Sequence, residues 1–152
     1  MHVHIIAVGR LKKGPELTLI QDYIKRCPWK ITITEVEERR PIKGAERMSR
    51  EADLILKEIP HNAHVIALDE RGKSYRSTQF AHLLQDKFDQ GFREIILLIG
   101  GADGYDQSVK ERANQLLSLS SMTLPHMMAR LILCEQIYRA TTILSGHPYH
   151  KD

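Results

Sequence analysis

The chain has 152 residues, 42% hydrophobic and 27% charged, with a formal net charge of +3 and two cysteines. Those figures suit one globular domain, 1–152, with a single core, and they exclude a disordered tail, a fibrous repeat and a disulfide-stapled scaffold. No apolar run approaches bilayer length, and so small a positive charge permits an anionic partner without demanding one.

Taken in order, Met1 to Val8 lacks the charged leader and small-residue cleavage site of a signal peptide, so it reads as a first strand ended by Gly9. Cytoplasmic location is the expectation. Pro15 opens a helix with Leu17, Ile20, Ile24 and Cys27 at three- and four-residue steps, and Pro28 stops it. Ile31 to Val36 alternates apolar and polar side chains, as a half-exposed strand near a sheet edge does. A charge-rich stretch leads into a helix with Met48, Ala52, Ile55 and Ile59 on one face, ended by Pro60. His64 to Leu68 is a third strand, closing on a polar turn at Asp69 to Lys73. Ser77 is placed to cap a helix carrying Phe80, Leu84 and Phe88, with Gly91 beyond its end.

Ile95 to Ile99 is an unbroken apolar run, the pattern of a central strand in a covered parallel sheet. Gly100, Gly101 and Gly104 follow, then Ser108-Val-Lys-Glu111, a capping-box pattern at a helix start. A short strand at Leu116 to Ser120 precedes one long helix from about Pro125 to Leu144, whose apolar residues cover more than one stripe. That helix lies deep in the chain or packs across a subunit interface. Strands alternating with helices imply an α/β fold, a mostly parallel sheet with helices on both faces.

Strand, glycine turn and helix is where such folds bind ligands bearing phosphate, ribose or carboxylate. The turn is no dinucleotide fingerprint, since Gly-x-Gly-x-x-Gly is absent, and Gly9 to Glu16 lacks the Lys-Ser/Thr of a P-loop. The close histidine pairs have no metal-site spacing, and neither cysteine sits in a nucleophile signature, so no metal is expected. Both cysteines read as small core residues in a reducing compartment. Glu135 and Arg139 stand four apart on a helix otherwise so apolar that the pair must face a cleft or a partner. In the tail His147-Pro-Tyr-His150, Tyr149 can stack on a base and His150 can exchange a proton near neutrality.

Leu98-Leu-Ile-Gly-Gly-Ala-Asp-Gly104, Ser118-Leu-Ser-Ser-Met-Thr-Leu-Pro-His126, Tyr138-Arg-Ala140 and His147-Pro-Tyr-His150 together resemble the RlmH family, small bacterial SPOUT-class methyltransferases of large-subunit ribosomal RNA. The resemblance runs end to end, with one departure: the family's Gly-Gly-Pro-Glu-Gly loop is here Gly100 to Gly104 with Ala102 and Asp103. It implies a SPOUT-type α/β trefoil knot in the C-terminal half, with S-adenosylmethionine held there and released as S-adenosylhomocysteine. The cofactor residues it implies are Leu68, Gly100, Gly101, Leu119, Ser120, Ser121, Met122, Thr123, Leu124 and Pro125. The reaction it implies is methylation at N3 of a pseudouridine in a 23S rRNA stem-loop on the assembled ribosome. In it His150 would accept a proton or orient the base, Tyr149 would stack, and Arg139 would hold phosphate or the uracil edge. The family's tail completes the site of the partner protomer, which implies a homodimer. Arg39 to Arg50 and Lys12-Lys13 are the RNA-facing charges this suggests. Read from the residues alone, a nucleotide-binding α/β protein and a non-enzymatic ribosome-associated module stay open.

Overall fold

A computed structural model describes residues 1–151. The chain runs β1 (His2–Val8), α1 (Pro15–Arg26), β2 (Lys30–Val36), α2 (Gly44–Glu58), β3 (His64–Ser74), α3 (Ser77–Asp89), β4 (Glu94–Ile99), α4 (Gln107–Arg112), β5 (Gln115–Ser118) and α5 (His126–Ser145). All strand pairs are parallel, in the order β2-β1-β4-β3-β5. The alternating strand β2 lies at an edge and β4, apolar from Ile95 to Ile99, in the middle, as their patterns require.

The sheet is covered on both faces. Val3, Ile5, Ala7, Ile95, Leu97 and Ile99 turn to one side and meet α1, α3 and α5. Ile6, Val8, Ile96, Leu98, Val65 and Ala67 turn to the other and meet α2 and α4. Five of the six β4 residues are therefore buried, because a strand with apolar layers on both faces has no wet side. Helix α5 packs against both α1 and α3, burying Leu133, Cys134, Ile137 and Ala140 within the chain. Its first turn does not share this cover: Met127 is 45% and Met128 38% exposed. Both cysteines are free.

Three local expectations are corrected. Asp106, not Ser108, caps α4, its carboxylate accepting from the Ser108 backbone N–H at 2.9 Å and from the Ser108 hydroxyl at 2.7 Å. Ser77 does not cap α3. The Gln79 side chain accepts from the Arg76 N–H at 2.9 Å, and the Ser77 hydroxyl instead donates to Gln136 of α5 at 2.7 Å, tying two helices. The polar stretch after Leu68 is no simple turn, for β3 resumes beyond it: Leu68 and Lys73 both stand opposite Leu117, so residues 69 to 72 loop out between them. Gly72 is pressed on β5 there, where an added Cβ would lie 2.5 Å from the Leu117 nitrogen. Only a residue without a side chain permits that approach.

Candidate active site

At the C-terminal ends of β3 and β4 the sheet opens into a cleft of about 510 Å³. Parallel α/β sheets bind ligands at this edge, where the strands end and helix-bound loops diverge. Leu68 and Asp69 bring one wall from β3, Gly100 to Tyr105 form a second after β4, and the segment after β5 closes the third. The glycine loop is braced from within. The Gly104 N–H bonds back to the Gly101 carbonyl at 3.1 Å, a turn that puts Gly104 at a φ of +82°. Beneath it the Tyr105 hydroxyl donates to the Leu98 carbonyl at 2.8 Å, and burial pushes the phenol well above its ordinary range. The opposite loop is self-supported: the Ser118 hydroxyl donates to the Ser120 carbonyl at 2.9 Å, and the Ser120 hydroxyl accepts from the Met122 N–H at 3.0 Å.

Gly101 is glycine for a second reason. An added Cβ would fall 2.7 Å and 2.9 Å from the two carboxylate oxygens of Glu51, which rises from α2 behind the loop. Glu51 is 4% exposed and its Oε1 has no hydrogen-bond partner among the described residues. Burial drives its pKa upward; Arg47 and His126 oppose the shift, while Asp103 and Glu38 add to it.

A second polar cluster lies along α5. Gly146, at a φ of +70°, ends the helix, and the His147 N–H caps the Thr142 carbonyl at 2.9 Å, so the tail folds back along the helix it leaves. Glu135 Oε1 accepts from Arg139 Nε at 2.9 Å and Nη2 at 2.6 Å, and from the Tyr149 hydroxyl at 3.0 Å. Arg139 Nη1 reaches His150 Nδ1 at 3.2 Å. Tyr149 also meets the Tyr23 hydroxyl at 3.3 Å and sets its ring edge-on to Tyr138 at 4.8 Å. The guanidinium of Arg139 lies 4.9 Å and that of Arg26 5.7 Å from the Tyr149 ring centre. Burial and its hydroxyl bonds push the Tyr149 phenol upward, and the Glu135 carboxylate raises Arg139 further. The tail is a docked element, not a frayed end.

The chain matches the family described as "Predicted SPOUT methyltransferase" over residues 1–150. Three curated relatives carry the name "Ribosomal RNA large subunit methyltransferase H". Those of Paramagnetospirillum magneticum and Rhodospirillum centenum are 48% and 46% identical over 151 residues, and that of Rhizobium etli 44% over 159, each alignment covering 99% of both chains. The chain belongs to the SPOUT methyltransferase family.

Leu68, Gly100, Gly101, Leu119, Ser120, Met122, Thr123 and Leu124 all line the cleft, brought together from three separate segments. Ser121 and Pro125 belong to the same loop but do not line it. Arg139, Tyr149 and His150 converge on one another and not on the cleft. Ala129 lines the cleft, and Arg139 lies ten residues further along the same SPOUT helix, about 15 Å at 1.5 Å per residue. Of the basic segment, Arg40 is engaged by Glu38 at 2.8 Å and Arg39 faces Glu37 at 3.7 Å. Among the described residues no group of three or more His, Cys, Asp or Glu is arranged to hold a metal ion, and no helix is long and apolar enough to cross a membrane.

Glu51, which from sequence reads with Glu46 as part of a solvated helix face, is instead buried, and so is Arg130, to which the sequence assigned no role. Both were visible as charges inside an apolar stripe: Met48, Glu51, Ala52 and Ile55 share a face of α2, and Arg130, Leu133, Cys134 and Ile137 share one of α5. A charge at such a position either faces a site or carries a buried partner.

Proposed function

We propose that this chain is an S-adenosylmethionine-dependent methyltransferase of large-subunit ribosomal RNA, acting at N3 of a pseudouridine in a 23S stem-loop on the assembled ribosome, in the cytoplasm and as a homodimer. One observation carries the reading. The glycine loop and the Leu119–Leu124 segment, far apart in sequence, face each other across one cleft in a SPOUT chain whose end-to-end relatives bear the ribosomal RNA methyltransferase name.

The cleft suits a nucleoside joined to an amino acid. Its volume falls within the usual range for small-molecule sites, roughly 300–1,000 Å³. Backbone groups of Leu68, Gly101 and the Ser120–Pro125 segment can read the adenine and ribose edges, with Leu119, Met122 and Leu124 as apolar walls. Asp69, Glu70 and Asp103 line it together with Arg71, Lys110 and His126, so groups of both signs are at hand for the ammonium and carboxylate of an amino-acid moiety. When bound, S-adenosylmethionine supplies an electrophilic methyl on a sulfonium and leaves as S-adenosylhomocysteine. A trefoil knot, with the chain after β5 threaded beneath the 69–72 loop, is the topology we assign to this half, in keeping with the Gly72 crossing. Residues 1–152 then act as one domain.

The tail residues orient the acceptor base. Arg139, a pure donor, sits at His150 Nδ1, so the neutral ring carries its hydrogen on Nε2 and acts toward the base as a donor to a uracil carbonyl. Proton acceptance would require Arg139 to release that nitrogen, so base orientation is the preferred role for His150. The N3 proton then passes to solvent water, and the Arg139 guanidinium stabilises the anion that takes the methyl. Glu135 and Tyr23 hold the Tyr149 hydroxyl, and its ring carries cations on its surroundings, so Tyr149 stacks on the base only at an uncovered part of its face. In-line transfer requires cleft and tail to meet, yet within one chain they are about 15 Å apart along α5. A partner protomer's tail over the cleft closes that gap. The exposed Met122, Met127 and Met128 around the cleft mouth and the start of α5 are suited to its cover.

The test is transfer of labelled methyl from S-adenosylmethionine to ribosomes that lack the modification, with mass mapping of the product nucleotide. Label on one pseudouridine of 23S rRNA is expected. A folded, cofactor-binding dimer that transfers none would refute the proposal.

A further inference from the structure

Arg26 stands in the last turn of α1, where a basic residue ordinarily needs no further explanation. Asp22, four residues back, answers it at 3.4 Å, with the two side chains 43% and 55% exposed, a pair worth little in water. The guanidinium is committed elsewhere. Its carbon lies 4.6 Å from the ring centre of Tyr138, 5.6 Å from that of Tyr23 and 5.7 Å from that of Tyr149. Nη2 also donates to the Tyr138 hydroxyl at 3.3 Å. Three tyrosines, from α1, α5 and the tail, thus converge on one cation.

The contacts continue in one direction. Tyr138, 8% exposed, tilts at 44° to Tyr23 and at 72° to Tyr149, with ring centres 5.8 Å and 4.8 Å away. Tilted ring pairs transmit the setting of one ring to the next, because their edges and faces must stay matched. The Tyr149 ring in turn carries the Arg139 guanidinium at 4.9 Å, and Arg139 Nη1 meets His150 Nδ1 at 3.2 Å. Arg26 is therefore the first of a series of packed groups that runs through Tyr138 and Tyr149 and ends on Arg139 and His150. A flat guanidinium bonded to the Tyr138 hydroxyl fixes that ring's plane. The point charge of a lysine on a flexible stem does not reproduce this.

We propose that Arg26 is a positioning residue for methyl transfer: by holding Tyr138 it sets the ring of Tyr149, and through that ring the Arg139–His150 pair, at the angle the acceptor base needs. This rests on the methyltransferase reading and on the tail roles given above. Arg26 does not line the cleft, so its effect falls on the geometry of transfer and not on the cofactor's own walls. Misplacing a reacting group by about 1 Å can cost on the order of 100-fold in rate, and a tail held at one fewer point loses part of that. The competing role, a surface cation that meets an RNA phosphate, depends on charge and not on shape.

The test is methyl transfer to ribosomes lacking the modification by the full chain carrying Arg26→Met or Arg26→Lys. Circular dichroism establishes folding, and calorimetry gives the affinity for S-adenosylmethionine. Both variants should lose about tenfold in kcat, with KM for ribosomes within about twofold and cofactor affinity changed less than kcat. Beside Tyr149→Ala, Arg26→Met should cost less than about twofold more, since the ring through which it acts is gone. Wild-type rates in Arg26→Lys with a raised KM in Arg26→Met would assign Arg26 to an RNA phosphate and overturn the proposal. An unchanged kcat in both variants overturns it too, as does a tenfold loss that persists beside Tyr149→Ala. A wild type that transfers no methyl refutes the methyltransferase reading, and the positioning role with it. Should Arg26→Met not fold, Arg26→Lys carries the test alone: its loss in kcat must appear, and must vanish beside Tyr149→Ala.

Discussion

Arg130, only 4% exposed on the apolar face of α5, donates from Nη1 to Glu35 Oε2 at 2.5 Å and from Nη2 to the Gly9 carbonyl at 3.2 Å. The same Glu35 oxygen accepts the Leu11 N–H at 2.7 Å. One ion pair thus ties the cleft end of α5 to the ends of β1 and β2, and it makes the placement of the Ser120–Pro125 segment depend on the far edge of the sheet.

Removing the arginine should therefore destabilise the chain by about 1–2 kcal/mol, since two hydrogen bonds of a buried guanidinium are lost while Glu35, one-third exposed, is rehydrated. The loss should depend on pH. Burial raises the Glu35 pKa, but the hydrogen bond and charge of Arg130, the Leu11 N–H and Arg10 outweigh it, and the net shift is downward. A carboxylate depressed in the folded state stabilises it above the unfolded value of 4.5, and that contribution disappears as pH falls through the lower folded value. Denaturant melts of wild type and Arg130→Leu should accordingly differ at pH 7 and converge below pH 4.5. A gap that persists at lower pH would show packing, not charge, to be the main term.

Gly72→Ala tests the crossing over β5. The new Cβ would stand 2.5–2.7 Å from backbone atoms of Leu116 and Leu117, which have no side-chain freedom to give way. A loss of about 3 kcal/mol is expected, near the upper end for overpacking. A thermal melt reads it directly; an unchanged midpoint would mean that the 69–72 loop lifts off the strand.

Tyr149→Phe removes one hydroxyl shared by Glu135 and Tyr23. Tail docking should weaken by about 1–2 kcal/mol. Hydrogen exchange of residues 147 to 151 should rise, and methyl transfer should fall in kcat more than in cofactor affinity, because the cleft's own walls hold the cofactor while the tail meets the acceptor base. A loss of cofactor affinity as large as the loss in kcat would contradict the separation of the two clusters.

The role of His150 separates by substitution. If Nε2–H donates to the base, Gln supplies a comparable donor and should hold transfer within about tenfold, whereas Ala should lose on the order of 100-fold. A proton acceptor gives another pattern: both variants lose alike, and the acid limb of the pH–rate profile disappears.

Much of the architecture was legible in the linear chain, because strand burial has a local signature. The unbroken run Ile95–Ile99 places β4 between two apolar layers, and the alternation of Ile31–Val36 places β2 at an edge, whatever the rest does. The glycine loop was legible for the same reason: a strand end followed by glycines and a helix start constrains its own geometry. Helix caps were less so. Ser77 and Ser108 have the right chemistry, but α3 starts at Ser77 and α4 at Gln107, which leaves the cap positions to Arg76 and Asp106, and only geometry settles such contests.

What the sequence by itself determined is the α/β class, the order of burial and the glycine loop, set by periodicity and composition over short spans, while the Ser120–Pro125 lip of the cleft came from the family resemblance. Tertiary structure decided the rest. Glu51 and Gly101 are fifty residues apart, yet the glycine exists to make room for the acid; Arg130 finds Glu35 across the sheet; and the tail docks on Tyr23 and Glu135, away from the cleft of its own chain. Those contacts depend on how layers stack, and a buried charge shows in a sequence only as an exception to its stripe, without saying which partner or ligand answers it.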